Sequence, residues 1–148
     1  MRDSYDLSQL DWKLTGWHPN YWRFPGMNPD VPALPARVPG SVQAALRDAG
    51  IIPDWNVGLN SRQCEWVENR DWLFEAELPV EWTSRPGRKL LRCDGLDYQG
   101  VLLVNGKEAG RFRGTLVPRP SIFSPSFKYN SFGPRCPICI SQFFSMIA

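Results

Sequence analysis

Four cysteines and a single histidine are the most reactive side chains in this chain of 148 residues. Cys136 and Cys139 have the spacing of half a zinc site or of a redox pair. A structural zinc ion needs four ligands, and the sequence offers no second half of such a motif. His18 precedes Pro19 and lies far away in sequence, which is typical of a solvated loop histidine. We therefore predict no metal site and no cofactor, and we interpret the cysteine spacing as chance.

Two pairs of carboxylates could supply acid–base chemistry. Glu65 and Glu68 lie three positions apart, and so do Asp94 and Asp97. A hydrolytic dyad needs its two carboxyl groups to face each other across the bond that is cleaved. Both pairs fall at predicted strand edges or turns, where solvated or capping carboxylates are expected. We predict that this chain carries no catalytic residue.

The composition favours a β domain with many loops. Hydrophobic residues make up 43% of the chain and charged residues 22%, which is enough apolar surface for a core. Seven tryptophans and 14 prolines are the unusual features, and they suit short strands better than a helical bundle.

The charge pattern gives no sign of a nucleic-acid or membrane partner. The net charge of +2 divides into −3 for residues 1–108 (12 basic, 15 acidic) and +5 for residues 109–148 (five basic, no acidic). The basic residues of the tail are dispersed, without a run or a recognisable reading motif. The apolar stretch Ile138–Ala148 is too short to cross a bilayer, and the N-terminus lacks a signal-peptide pattern. We expect a cytoplasmic, reduced protein.

Apolar alternation predicts a strand over Trp12–Trp17, with Trp12 and Leu14 on its buried face. Five prolines between Trp17 and Pro39 predict a surface loop without regular structure. After Pro39, Ser41 can cap a short helix that Gly50 ends. The helix would cover the end of a sheet with one apolar face, formed by Val42, Ala45, Leu46 and Ala49.

The second half of the sequence predicts further strands. Asp71–Leu78 alternates, with Trp72, Phe74, Ala76 and Leu78 on one side, as in a half-buried antiparallel strand. A strand over Arg88–Cys93 follows, and then two strands joined by Asn105-Gly106, a strong hairpin signal. The first of these two strands holds the continuous apolar run Val101–Val104, which predicts a central strand covered on both faces.

The order of these elements resembles a known module. Val38-Pro39-Gly40-Ser41 opens the helix, and a long loop then leads to Trp66-Val67-Glu68-Asn69-Arg70-Asp71-Trp72-Leu73-Phe74. This order resembles the N-terminal sugar-binding domain of β-mannosidases and related family 2 glycoside hydrolases. Ile51–Asn60 and the turn Asp94-Gly95-Leu96-Asp97 also resemble segments of that domain. The resemblance extends from Trp12 to Gly114, and it implies an all-β, galactose-binding-like jelly-roll β-sandwich with one short covering helix.

The resemblance also implies a function, that of an accessory carbohydrate-binding-like domain in a β-mannosidase-like enzyme. In the family, two glutamates on a catalytic barrel hydrolyse the glycoside, and nothing in this sequence matches their motifs. A barrel needs roughly 250 residues, so we expect it to be absent from this chain. The implied partner is a β-mannoside-like carbohydrate in the context of the full enzyme.

The resemblance places the loop that follows the helix near the mouth of the active site. Trp55, Asn60, Arg62 and Trp66 are our candidates for a wall of the substrate pocket, since tryptophan stacks on sugars and arginine or asparagine binds hydroxyls. Alternatively, both tryptophans are core or interface anchors, and asparagine turns explain Asn60 and Asn56. Three aromatic residues of the proline-rich loop could likewise stack on a sugar ring, but anchoring of the loop is the favoured interpretation for them: Tyr21, Trp22 and Phe24.

The end of the sequence departs from the family pattern. We predict a partial β-sandwich over residues 1–120, incomplete at its C-terminus, and an atypical tail over residues 121–148 that is frameshifted or disordered. An alternative exon end and a short protein with its own closing strand remain open. So do two other functions, a free-standing lectin-like module with micromolar to millimolar sugar affinity and a non-functional gene fragment.

Overall fold

A computed structural model describes residues 4–84, 91–93, 96, 98–114, 119–121 and 136–143 of the chain. The chain forms two compact units, Met1–Ala76 and Glu77–Ala148. Small antiparallel sheets and a few short helices make up the described part. No helix in this part is long and apolar enough to cross a membrane.

The first unit is built on three antiparallel strands in the order β2-β1-β3. The strands are β1 (Trp12–Trp17), β2 (Val31–Ala36) and β3 (Asp71–Leu78). Leu14 of β1 pairs with Leu34 on one side and with Phe74 on the other. All three side chains are buried, so the centre of this sheet carries the core of the unit. The predicted strand β1 and its buried Trp12 and Leu14 are confirmed.

Strand β2 corrects the prediction of an irregular loop up to Pro39. It contains Pro32 and Pro35, which cannot donate a backbone hydrogen bond and are therefore tolerated mainly in edge strands. β2 pairs with β1 and ends the order of strands, so its prolines are compatible with the sheet. The proline content was misleading because it excludes a central strand but not an edge strand.

Helix α1 (Val42–Asp48) begins and ends as the sequence predicts. Ser41 Oγ accepts a hydrogen bond from the backbone N–H of Ala44 at 3.1 Å, and Gly50 adopts a φ of +72° beyond the last turn. The helix contacts β2 and buries Val42, Ala45 and Leu46. Ala49 is exposed, contrary to the predicted stripe, because the helix already ends at this residue.

The remaining helices are single turns or short 3-10 segments. α2 spans Asn60–Gln63 and α3 spans Val80–Thr83, while 3-10 helices span Leu7–Gln9, Tyr21–Arg23 and Glu65–Asn69. Such short elements are held by their neighbours, since isolated helices of this length are unstable in water.

Trp72 lies at the centre of the first unit's core. Its side chain is fully buried, and its Nε1–H donates to the carbonyl oxygen of Val67 at 2.9 Å. Leu73, on the opposite side of β3, is also buried. The start of β3 is therefore covered on both faces, which corrects the prediction of a half-buried strand for this part.

The second unit contains a three-stranded antiparallel arrangement in the order β8-β5-β6. Its strands are β5 (Gln99–Val104), β6 (Lys107–Arg113) and β8 (Cys136–Phe143). A separate pair joins β4 (Leu91–Cys93) to β7 (Arg119–Ser121).

The Asn-Gly hairpin is confirmed. Asn105 and Gly106 have φ values of 51° and 71°, and Val104 pairs with Lys107 across the two-residue turn. β5 lies between two partners, as its apolar run predicts, and Val101 and Leu102 are buried.

Strand β8 lies in the segment that the sequence shows as an atypical tail. It pairs with β5 over six positions, from Gln99 opposite Phe143 to Val104 opposite Ile138. Cys139, one of the Cys-x-x-Cys pair, lies opposite Leu103. The boundary at residue 120 stays a prediction, and most of the predicted turn lies outside the described residues: Asp94, Gly95 and Asp97.

Candidate functional site

The four candidate residues lie on the segment that follows helix α1. Asp54 shapes its beginning, because its Oδ1 accepts hydrogen bonds from the backbone N–H of Asn56 at 3.0 Å and from Asn56 Nδ2 at 3.2 Å. Asn60 Nδ2 donates to the carbonyl oxygen of Asp54 at 3.0 Å. The amide of Asn60 therefore holds the loop together, in line with a turn-forming role.

Trp55 extends from this loop towards helix α1. The guanidinium carbon of Arg47 lies 5.4 Å from the centroid of the Trp55 ring, within the range of a cation–π interaction. Trp55 is half-buried. The structure thus gives this tryptophan an anchoring contact and leaves part of its ring accessible to solvent.

Arg62 is the most accessible polar candidate. It belongs to α2 and its side chain is exposed, and within the described ranges no side chain pairs with its guanidinium. Val57 and Leu59 precede it with exposed apolar side chains. A guanidinium beside apolar groups can donate hydrogen bonds to a hydroxylated ligand that also presents a carbon face.

Trp66 packs against the core at the start of β3. Its ring centroid lies 6.0 Å from that of Trp72, with the planes inclined by 50°. The guanidinium carbon of Arg70 also lies 6.0 Å from the centroid of Trp66. With these two neighbours and a partly buried side chain, Trp66 has the contacts of an anchor.

Asp71 is a polar residue that sequence analysis did not single out. It is only 5% exposed, and its Oδ2 accepts hydrogen bonds from the backbone N–H of Asn20 at 2.8 Å and from Trp22 Nε1–H at 2.9 Å. Burial raises the pKa of the Asp71 carboxyl, although these two hydrogen bonds and the charge of Arg23 oppose the increase. The strand pattern contained no signal for this contact, because the donors lie about 50 residues away in sequence.

Asn20 and Trp22 lie near the start of the loop 18–30. Arg70, next in the chain to Asp71, binds the end of this loop. Its Nε–H donates to Asp30 Oδ2, and its Nη1 donates to the carbonyl oxygen of Asn69 at 2.9 Å. His18 Nε2 lies 3.9 Å from Asp30 Oδ2. Arg70 and Asp71, two adjacent residues where β3 begins, therefore bind the loop 18–30 at both ends.

The three aromatic residues of this loop have different roles. Trp22 anchors the loop through Asp71, as the favoured interpretation predicts. Tyr21 is 46% exposed and Phe24 is 58% exposed, so anchoring is wrong for these two. The ring of His18 lies 5.6 Å from that of Tyr21.

The other reactive groups do not assemble into a described site. Glu65 and Glu68 are both exposed on a 3-10 helix, as predicted for solvated carboxylates. Cys64 is half-buried and its thiol donates to the carbonyl oxygen of Asn60 at 3.4 Å. Within the described ranges, no cluster of three potential metal ligands occurs.

This fold belongs to a known family of galactose-binding-like domains. The model of the glycosyl hydrolase 2 galactose-binding domain-like family matches residues 12–119. The chain is therefore a member of that family, and the resemblance found in the sequence is confirmed.

Proteins similar to this chain include β-mannosidases. The β-mannosidase of Rattus norvegicus is 30% identical over 91 residues, which cover 61% of this chain and 10% of the relative. The β-mannosidase B of Thermothelomyces thermophilus is 29% identical over 79 residues, or 53% of this chain and 9% of the relative. The chain thus spans about a tenth of the length of these relatives.

A solved structure supports the fold. The crystal structure of β-D-mannosidase from Dictyoglomus thermophilum superposes with a TM-score of 0.65 at 21% sequence identity. The match covers 90% of this chain and 15% of that one. The domain described here is homologous to the N-terminal region of these enzymes.

Proposed function

We propose that this chain is an accessory carbohydrate-binding-like domain of a β-mannosidase-like glycoside hydrolase. In this proposal the domain adopts the jelly-roll β-sandwich of its family and forms one wall of the substrate pocket, while a barrel outside this chain supplies the catalytic carboxylates. The family match over residues 12–119 is the observation that carries the proposal. The ligand is a β-mannoside-like carbohydrate.

The four candidate residues have different roles in this proposal. Arg62 donates hydrogen bonds to sugar hydroxyls, because its guanidinium is exposed and has no partner among the described side chains. Trp55 offers an accessible part of its ring next to the Arg47 contact. Asn60 and Trp66 keep the wall in shape through Asp54 and the core.

Such a wall contributes binding energy and no proton transfer. Contacts with parts of the sugar away from the cleaved bond bind the substrate and the transition state equally, so their loss raises KM and leaves kcat unchanged. One hydrogen bond from a charged donor contributes about 1.5–3 kcal/mol, which corresponds to an increase in KM of about 10-fold to 100-fold.

A chimeric enzyme tests the proposal. This chain would replace the matching segment of the Dictyoglomus thermophilum enzyme, and hydrolysis of an aryl β-mannoside would be followed. We expect Arg62→Ala to raise KM at constant kcat. Arg111→Ala is the matched control, since Arg111 is an exposed arginine that pairs with Glu108 on β6. Equal KM values for the two variants would contradict a role of Arg62 in the pocket wall.

The free-standing lectin-like function makes a different prediction for the isolated chain. It requires micromolar to millimolar affinity for mannosides that depends on Arg62 and Trp55. The accessory function predicts almost no affinity through these two residues, since they form only one wall of a pocket. Calorimetric titration of the chain and of its Arg62→Ala variant separates the two functions.

A further inference from the structure

The loop 18–30 is attached to the start of β3 by hydrogen bonds and carries exposed aromatic side chains. Asp71 binds Asn20 and Trp22 near its start, and Arg70 binds Asp30 at its end. Backbone hydrogen bonds between these points close short turns, from Tyr21 N–H to the oxygen of His18 at 3.0 Å and from Phe24 N–H to that of Tyr21 at 3.0 Å.

Three large apolar side chains extend from this attached segment into solvent. Tyr21 and Met27 are each 46% exposed, and Phe24 is 58% exposed. A loop that needed aromatic residues only as anchors would bury them, as it does with Trp22, whose indole N–H binds Asp71. The exposed rings are therefore available to a ligand.

The charges around these rings are balanced, which favours a neutral ligand. Asp30 pairs with Arg70, and its Oδ2 also lies 3.9 Å from His18 Nε2. Asp71 is buried, and the positive charge of Arg23 acts on its carboxyl. A strongly acidic or basic partner would find no complementary net charge at this surface.

The size of the surface favours a small ligand over a protein. A stable protein interface buries about 800 Å² on each side and involves about 20–30 residues. Within this loop only three large apolar side chains are exposed, those of Tyr21, Phe24 and Met27, far fewer than such an interface needs. A pyranose ring needs only one or two aromatic faces for its C–H groups and a few polar groups for its hydroxyls. Here the imidazole of His18, whose ring lies 5.6 Å from that of Tyr21, can supply a polar contact.

We propose that Tyr21 and Phe24 form a second carbohydrate-stacking surface, separate from the segment 54–66, for the apolar face of a pyranose in a neutral glycan. The choice of a glycan rests on the proposed carbohydrate association of this family. Arg70 and Asp71 are positioning residues of this surface, because they hold the loop in place without contacting the sugar. Such preorganisation lowers the entropy that binding costs.

Titration of the full chain with mannotetraose, followed by NMR, tests the proposal. At millimolar affinity, Tyr21→Ala or Phe24→Ala should weaken binding by about 2-fold to 10-fold, which is the range of one aromatic stacking contact. Tyr21→Phe keeps the ring and should stay within about twofold of the parent chain. Arg111→Ala should bind like the parent chain, since Arg111 lies on β6, outside the loop and outside the segment 54–66, and pairs with Glu108.

Three results would overturn the proposal. Binding that is lost with Arg62→Ala but kept with Tyr21→Ala would place the sugar on the segment 54–66. No binding at about 10 mM sugar would show that the rings do not bind glycans. Self-association that Phe24→Ala abolishes would identify the surface as a protein contact. The chimeric enzyme tests the pocket wall independently, because its outcome depends on Arg62 and not on Tyr21.

The positioning role of Asp71 is tested by a separate measurement. Asp71→Ala should weaken mannotetraose binding and shift the indole N–H resonance of Trp22, whose hydrogen bond to Asp71 it removes. Asp71→Asn keeps an acceptor oxygen and should restore most of the affinity. Unchanged sugar affinity in a folded Asp71→Ala variant with a shifted Trp22 resonance would refute the positioning role.

Discussion

Adding a single methyl group at Gly16 should destabilise the first unit. Gly16 pairs with Trp72 on one side and with Val31 on the other. A Cβ atom at this position would lie 2.6 Å from Cζ3 and 2.9 Å from Cη2 of Trp72, and 2.9 Å from Cβ of Val31. Ordinary contacts begin near 3.4 Å, so the ring and the strand would both have to move.

The expected cost is about 2 kcal/mol. Overpacking a core typically costs about 1–3 kcal/mol, and the upper part of this range applies here because Trp72 is fully buried and its Nε1–H is bound to Val67. Alanine recovers about 0.5–1 kcal/mol relative to glycine within a strand, since it loses less conformational freedom on folding.

Urea denaturation followed by tryptophan fluorescence measures this cost. Gly110→Ala in β6 is the matched control, because a Cβ there would meet nothing within 4 Å, and it should be neutral or slightly stabilising. Trp72→Phe removes the two nearest ring atoms, so the double variant Gly16→Ala/Trp72→Phe should lose at least about 1 kcal/mol less than the sum of the single variants. If the free energies of unfolding of Gly16→Ala and Gly110→Ala were equal, the predicted overpacking against Trp72 would be refuted.

Three further predictions concern a cap, a turn and a buried charge. Ser41→Ala removes the acceptor for Ala44 N–H and should cost about 1 kcal/mol in the free energy of unfolding, whereas Ser41→Asn should retain most of the stability. Gly106→Ala should cost about 1–2 kcal/mol in urea denaturation, because its φ of 71° strains a residue with a side chain. Burial raises the pKa of Asp71 above its ordinary value of 3.8, so this carboxyl favours folding most below about pH 4, and that contribution is lost as the pH rises through the folded pKa. Asp71→Asn lacks this dependence, and its stability relative to the parent chain should be higher at pH 7 than at pH 4; a constant difference between the two pH values would contradict this sign.

Local signals in the sequence were sufficient for several elements. Ser41 and Gly50 delimit helix α1 because a cap and a left-handed glycine act within one helical turn. Asn105-Gly106 determines a hairpin because both residues tolerate positive φ. The order of motifs from Val38 to Phe74 also sufficed to indicate the family, which the match over residues 12–119 confirms.

Tertiary structure alone decided the elements that depend on distant partners. β2 forms despite Pro32 and Pro35 because it lies at an edge, and β8 forms beside β5 although its own sequence shows no alternation. The hydrogen bond that anchors Trp22 likewise depends on Asp71, some 50 residues away in sequence. Sequence patterns describe neighbours along the chain, whereas strand pairing and the burial of a charge depend on groups that only folding brings together.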